Sequence, residues 1–169
     1  TSGNLSNTAI VHRSGASLQT KGDSYTPTGA ITVTTSSGLL MGANLEVSIT
    51  CASTSNFLHI TNFIPDCMQN AGNHALHIGF KYSTASPFGT GTSLGRTFIN
   101  SHFGYQTLSN ATLIGASTEL WVAVPTTSAM KIQVFTTALT NTGSNIKMFN
   151  NSGVSSFNVA SLIVTEVKA

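Results

Sequence analysis

The alternation of apolar and polar residues along the chain predicts a succession of short β-strands. Asn44–Ala52 and Leu76–Ser83 alternate residue by residue, which is typical of strands covered on one face only. Further strands are predicted where β-branched or aromatic residues lie between turn signals: Ala30–Thr35, Phe57–Ile64, Arg96–Tyr105, Ser117–Val124, Met130–Leu139, Ile146–Phe149 and Ser156–Val167. Pro65 is expected to end one strand, and Ser83–Gly95 is expected to be a loop. Eight to ten short strands without a helical period predict an all-β sandwich, jelly roll or barrel.

The last of these stretches, Ser156–Val167, is apolar at both sets of alternating positions near its middle. A strand exposed on one face would keep one of the two sets polar. We therefore expect a central strand that is buried on both faces near Ala160–Val164. One face would meet the core of the domain, and the other would meet a neighbouring sheet or subunit.

The first 28 residues are polar, and their isolated apolar positions carry too little surface to form a core. We expect residues 1–28 to be an extended N-terminal lead-in and residues 29–169 to form one β-sandwich domain. The chain starts at Thr1 without Met, as expected of a processed chain or a piece of a longer polypeptide.

Charged residues make up only 7% of the 169 residues, against about 25% in an average protein. The surface is then built from Ser, Thr, Asn and Gly. This is typical of virion or extracellular β-structures and of assembly subunits, whose interface cores are depleted in charge. The net charge of +2 is spread without a basic run, so we expect no nucleic-acid partner. The apolar runs are too short to span a membrane, so we expect no membrane insertion.

Candidate catalytic and metal-binding groups are few. The acidic residues are Asp23, Glu46, Asp66, Glu119 and Glu166. They form no recognisable pair for acid–base catalysis, and their strand or turn positions are common ones for solvated carboxylates. GTSLG at 91–95 is flanked by a Gly/Thr loop rather than by the strand and helix of a nucleophile elbow. We predict no catalytic residue, no metal site and no cofactor, and we expect Cys51 and Cys67 to be thiols rather than a disulfide.

Recognition of another molecule is the function class that remains. Aromatic and hydrogen-bonding residues in loop regions are the candidates for ligand binding: Phe88, Arg96, His102, Phe103 and Tyr105. Aromatic faces next to polar groups suit sugars and proteins alike. Phe98 and Trp121 are expected to belong to the core.

Several motifs resemble parts of bacteriophage tail fibres. NTAIVHRSG at 7–15, followed by QTKGD at 19–23, resembles the short connecting repeats of these fibres. LWVAVP at 120–125, KIQVFTTAL at 131–139 and SLIVTEV at 161–167 resemble strands of the trimeric heads that end such fibres. These heads are jelly rolls similar in architecture to tumour necrosis factor. The resemblance implies an antiparallel jelly-roll sandwich that follows the extended lead-in.

The resemblance also implies a homotrimer, with the last strand near the threefold axis and Ala160, Leu162 and Val164 at the trimer interface. The implied role is adsorption, in which the tip of a virion fibre binds a glycan or protein on the host surface and three copies add avidity. A structural virion subunit, such as a capsid or decoration jelly roll, is an alternative. A polysaccharide-processing enzyme or a bacterial adhesin module is a second alternative.

Overall fold

The structure, a computed structural model, describes residues 14–26, 31–33, 39–40, 42–69, 76–98, 114–138, 146–148 and 159–169. Its strands are β1 (Ser17–Tyr25), β2 (Ile31–Val33), β3 (Leu39–Leu40), β4 (Glu46–Ile49), β5 (Phe57–Gln69), β6 (Leu76–Ser83), β7 (Thr92–Phe98), β8 (Ile114–Ala123), β9 (Met130–Ala138), β10 (Ile146–Met148) and β11 (Ala160–Val167). A 3-10 turn, Gly42–Leu45, precedes β4. None of the described segments is a helix with the length and apolar character needed to cross a membrane.

The strands pair as nested antiparallel partners. β6 pairs with β7, β5 with β8, β9 with both β3 and β4, and β1 with β11. These pairs alternate between two sheets. The larger sheet contains β1, β11, β5 and β8, extended by β10 and β2, and the smaller sheet contains β3, β4, β9, β6 and β7. This connectivity is that of a double-sheet jelly roll, so the predicted antiparallel sandwich is confirmed.

The core lies between the two sheets, because every second side chain of each strand points inward. β5 contributes Leu58, Ile60 and Ile64, and β6 contributes Ile78 and Phe80 from the opposite sheet. All five side chains are fully buried. Burying a side chain of this size stabilises the folded chain by about 1.5–3 kcal/mol. The residues that alternate along each strand are thus the ones that hold the two sheets together.

β1 lies inside the stretch that the sequence predicts to be a lead-in. Ser17–Tyr25 pairs with β11 along its length and forms the edge of the larger sheet. The sandwich therefore begins at residue 17 rather than at residue 29. Most β1 side chains are exposed or half-buried, so its polar composition suits an edge strand that is ordered by its hydrogen bonds to β11. Residues 1–13 of the predicted lead-in lie outside the described residues.

Two of the differences from the predicted strand boundaries occur at residues that the sequence marks as turn or loop signals. β5 continues through Pro65, because the pairing register with β8 shifts between Ile64 and Cys67. Such an irregularity tolerates a proline, whose missing N–H could not take part in a regular ladder. β7 begins at Thr92, inside the predicted loop Ser83–Gly95.

Ala160, Leu162 and Val164, the residues expected at a trimer interface, face the interior of this single chain. None of the three has exposed surface, and all pack in the core between the two sheets. The opposite side of β11 carries Ile163, which is 42% exposed. The two apolar sets of this strand thus have different surroundings, and a subunit that approaches β11 from outside the sandwich would meet Ile163 instead.

Cys51 and Cys67 are both buried and are not joined in a disulfide, as predicted. Cys51 continues the alternation of β4 into the core. Burial, followed by the nearby charge of Glu166, raises the pKa of the Cys51 thiol to about 11. This thiol is therefore protonated at neutral pH and behaves as a small hydrophobic residue.

Candidate functional site

The side of the larger sheet that points away from the core is a continuous four-stranded surface, which we call the outer face. Its residues are Thr20, Ser24, Phe57, His59, Thr61, Phe63, Ser117, Glu119, Trp121, Ala123, Ser161, Ile163 and Thr165. The register places Ile163, Thr61 and Glu119 side by side across β11, β5 and β8. His59 and Trp121 are neighbours in the adjacent row.

The outer face carries most of the exposed large apolar side chains in the described part of the chain. These are Trp121 (54% exposed), Phe57 (43%), Ile163 (42%), Phe63 (40%) and Val159 (42%). The first four belong to the outer face, and Val159 directly precedes β11 in phase with Ile163. Single exposed apolar residues are ordinary on protein surfaces, whereas a group of them on one sheet face is typical of interaction surfaces.

Three side chains at the centre of the outer face form one hydrogen-bonded cluster. The rings of His59 and Trp121 are stacked, with centroids 4.2 Å apart and planes 10° from parallel. Glu119 Oε1 accepts a hydrogen bond from Trp121 Nε1 at 2.8 Å and lies 2.8 Å from His59 Nε2. Because a carboxylate oxygen is an acceptor, His59 Nε2 carries the hydrogen in this contact. The indole ring is thus fixed in orientation while much of its surface stays accessible.

Glu119 is the one formally charged residue of the outer face at neutral pH. Its hydrogen bonds with Trp121, and then with His59, hold the pKa of Glu119 below its usual range. The outer face as described contains no Lys or Arg. Depletion of charge combined with exposed aromatic residues is the composition of the core of a protein–protein interface, where Trp is among the commonest energetic hot spots.

Phe63 lies directly on the backbone of β8. A Cβ atom added at Gly115 would be 2.6 Å from Phe63 Cε2, so no residue larger than Gly fits beneath the ring in this position. Phe63 therefore covers the sheet instead of standing away from it. This contact presents the broad side of an apolar ring to whatever contacts the outer face.

Of the predicted ligand-binding residues, only Phe88 has a side chain within the described part of the chain. Phe88 is 8% exposed and packs against Gly91 of its own loop. Arg96 lies on β7, but its side chain is outside the described residues, as are His102, Phe103 and Tyr105 entirely.

Trp121 is expected to be a core residue, and the structure corrects this expectation, because its side chain is 54% exposed. The alternation of residues along β8 indicates the true orientation of Trp121. Trp121 is in phase with Ser117 and Glu119, which are polar, whereas Leu120 and Val122 occupy the opposite phase. The alternation of side chains along the strand therefore places the indole on the solvent side.

Within the residues that the structure describes, no group of three or more His, Cys, Asp and Glu side chains is arranged to hold a metal ion. The most extensively hydrogen-bonded carboxylate, Glu166, is fully buried and contacts Gln19, Ala52 and Asn56. These contacts join strands and a loop of the same chain, so this carboxylate has a structural role.

No protein-family model and no curated protein matches this chain. Among solved structures, a chain in the structure of infectious bursal disease virus, Gx strain, is similar over 93% of this chain and 35% of its own length, with 10% identity and a TM-score of 0.33. Dimeric latent PorU from Porphyromonas gingivalis is similar over 92% of this chain and 14% of its own length, with 6% identity and a TM-score of 0.33. The chain thus spans about a third and a seventh of these two proteins. At such TM-scores neither similarity carries an argument about fold or function.

Proposed function

We propose that this chain is a non-catalytic jelly-roll subunit of a virion and that it assembles as a homotrimer through its outer face. The observation that carries the proposal is the grouping of exposed aromatic and aliphatic residues on one nearly uncharged sheet face. Covering these side chains removes apolar surface from water, and Trp121 and Phe63 are already oriented for contact. The virion context comes from the resemblance of the sequence to phage tail-fibre heads.

A cyclic arrangement suits the outer face better than a twofold one. A twofold dimer centred on Trp121 would bring two Glu119 carboxylates together, and the described outer face has no Lys or Arg to balance them. A ring of three joins this face to a different surface of the next subunit, so that Glu119 does not meet its own copy. The trimer that the resemblance implies is consistent with this charge argument.

The test is the mass of the particle in solution, measured by light scattering after size exclusion. We expect three times the chain mass of 17.6 kDa. Ile163→Asp should give a monomer, because burying an unpaired carboxylate in an apolar contact costs several kcal/mol. Thr54→Asp, an exposed loop position away from the outer face, is the matched control and should stay trimeric. Circular dichroism checks that each variant is folded.

The only Trp of the chain gives a second readout of the same assembly. Covering Trp121 in the trimer should shift its fluorescence to shorter wavelength relative to Ile163→Asp. A monomeric wild-type chain would contradict the proposed trimer. A trimer that survives Ile163→Asp would show that the subunits meet elsewhere.

Attachment to a host surface is the second candidate function, and one observation favours it. The loop between β6 and β7 and the loop between β8 and β9 border a shallow, open polar cleft whose lining contains no residue of the outer face. Loops on a rigid β scaffold are common places for recognition. In a trimer this cleft would be present three times, which multiplies weak binding to a repetitive host surface.

A further inference from the structure

We propose that the polar cleft between the β6–β7 and β8–β9 loops binds a neutral saccharide. We call it the loop cleft. Its hydroxyl-bearing lining residues include Thr84, Thr90, Thr92, Thr126 and Ser128. Tyr82, which is half-buried, adds an aromatic ring. The inference rests on the attachment function proposed above and names the class of receptor for it.

The hydroxyl groups of the loop cleft match the chemistry of a sugar. A Ser or Thr hydroxyl donates one hydrogen bond and accepts two, as does each hydroxyl of a saccharide. Thr92, the first residue of β7, and Ser128, in the loop between β8 and β9, are both exposed and both line the cleft, so a ligand can contact both walls. Gly89 and Gly91 also line the cleft without side chains, which leaves backbone groups accessible.

Among the residues that the structure describes, none that lines the loop cleft carries a formal charge. Lys81 is close in sequence, but its ammonium group donates to the backbone oxygen of Thr90 at 3.2 Å and lies 5.1 Å from the ring centroid of Phe135. This ammonium group is already engaged by the Thr90 carbonyl and the Phe135 ring, so an anionic ligand would have to draw it away from these contacts to gain a counter-charge. This favours a neutral saccharide over a phosphorylated or carboxylated one.

The loop cleft is preorganised by contacts that do not involve a ligand. Phe88 is buried against Gly91, where an added Cβ would lie 2.4 Å from the Phe88 ring. The φ angles of Gly89 and Gly91 are +66° and +61°, a conformation that other residues rarely adopt. On the other wall, Thr126 Oγ1 accepts a hydrogen bond from Ser128 N at 3.1 Å. A rigid site loses little conformational entropy when it binds.

A neighbouring groove provides an internal comparison. It shares Ser83–Ala85 with the loop cleft but is also lined by Lys21, Lys131 and Ser48. Lys131 is already 2.9 Å from the Glu46 carboxylate. The lysine side chains that could bind an acidic saccharide line this groove and not the loop cleft, so the charge of the ligand distinguishes the two sites.

The experiment presents the full-length chain to an array of neutral oligosaccharides together with acidic ones that contain sialic or uronic acids. The best neutral binder is then titrated against wild type and variants. We expect Thr92→Val and Ser128→Ala each to weaken binding about five- to tenfold, the effect of losing one hydrogen bond. Ser48→Ala, which alters only the neighbouring groove, should bind as wild type does.

The outcomes are distinct. Binding of neutral sugars that is unaffected by both cleft variants overturns the assignment to the loop cleft, and so does binding restricted to acidic sugars. The absence of any saccharide binding overturns the receptor class. Because the particle mass is measured separately on the same variants, a failure here with an intact trimer leaves the virion-subunit proposal standing. A wild-type chain that is not a trimer would count against the virion-subunit proposal.

Discussion

Glu166 is fully buried near the end of β11, and its carboxylate connects three parts of the chain. Gln19 Nε2 of β1 donates to Oε2 at 2.7 Å, while Oε1 accepts from the backbone N of Ala52 at 2.8 Å and from Asn56 Nδ2 at 2.7 Å. Burial raises the pKa of Glu166, but these hydrogen bonds outweigh it, so the pKa lies below its usual value. Replacement of Glu166 by Gln removes the charge and keeps the shape.

The size of the effect follows from the donors that surround the carboxylate. In Glu166→Gln one oxygen becomes an NH₂ group, which would face the NH₂ of Gln19. Gln19 cannot reverse its amide without loss, because its Nε2 also donates to the backbone oxygen of Thr50 at 2.7 Å. A hydrogen bond to a charged group contributes about 1.5–3 kcal/mol, and the remaining bonds weaken when their acceptor becomes neutral. We expect the free energy of unfolding at pH 7 to fall by about 2–4 kcal/mol.

The pH dependence has a definite sign. The folded-state pKa of Glu166 is lowered, so the unfolded chain binds a proton first as the solution is acidified. The stabilisation from Glu166 is complete above the unfolded-state pKa of about 4.3 and is lost as the pH falls through the folded-state value. Glu166→Gln lacks this titration. The difference in stability between wild type and Glu166→Gln should therefore narrow below about pH 4.

The assay is urea unfolding at pH 7, 5 and 3.5, followed by circular dichroism at one protein concentration, since self-association alters apparent stability. Thr127→Ala is the control, because this exposed side chain of the loop between β8 and β9 is not part of the outer face and its loss should leave the pH 7 midpoint near that of wild type. The reasoning is refuted if Glu166→Gln unfolds within about 0.5 kcal/mol of wild type at pH 7, the range of neutral surface substitutions. A difference that stays constant with pH would refute the titration argument.

Three further perturbations test the packing. Leu162→Ala should lower the free energy of unfolding by about 2–5 kcal/mol in urea titrations, and a loss below 1 kcal/mol would contradict its place in the core. Gly79→Ala should lower stability by about 1–3 kcal/mol in thermal melts, because the new Cβ would lie 2.5 Å from Phe135 Cε1; an unchanged melting temperature would contradict this contact. Cys51 and Cys67 should resist a thiol reagent at pH 8 until the chain is unfolded, when two thiols should react; rapid reaction of the native chain would show that they are accessible.

The fold class could be predicted from the sequence because strand formation leaves a local pattern. The alternation at β4, β6 and β9 shows which side chains face the core, and these strands appear close to their predicted places. β1 leaves no such pattern, because an edge strand with exposed side chains is held by backbone hydrogen bonds that are insensitive to side-chain identity. The continuation of β5 through Pro65 likewise depends on a register shift against β8, far along the chain.

The candidate site could be predicted only in part. Residues 161–167 carry apolar side chains at both alternating sets of positions, and the sequence by itself predicts that both faces of this strand are buried. Only the tertiary structure decided which row is internal: Leu162 lies opposite the second sheet, whereas Ile163 is exposed.

Which side chains lie together on the outer face depends on which strands pair with each other. His59 and Trp121 are 62 positions apart in the sequence, and only the β5–β8 register makes them neighbours. Local alternation sets the direction of each side chain, but the choice of strand partners depends on the closure of long loops and on burial shared by the whole domain. That is why the sequence determined a sandwich of strands, while the nested pairing and the surface it assembles required the tertiary structure.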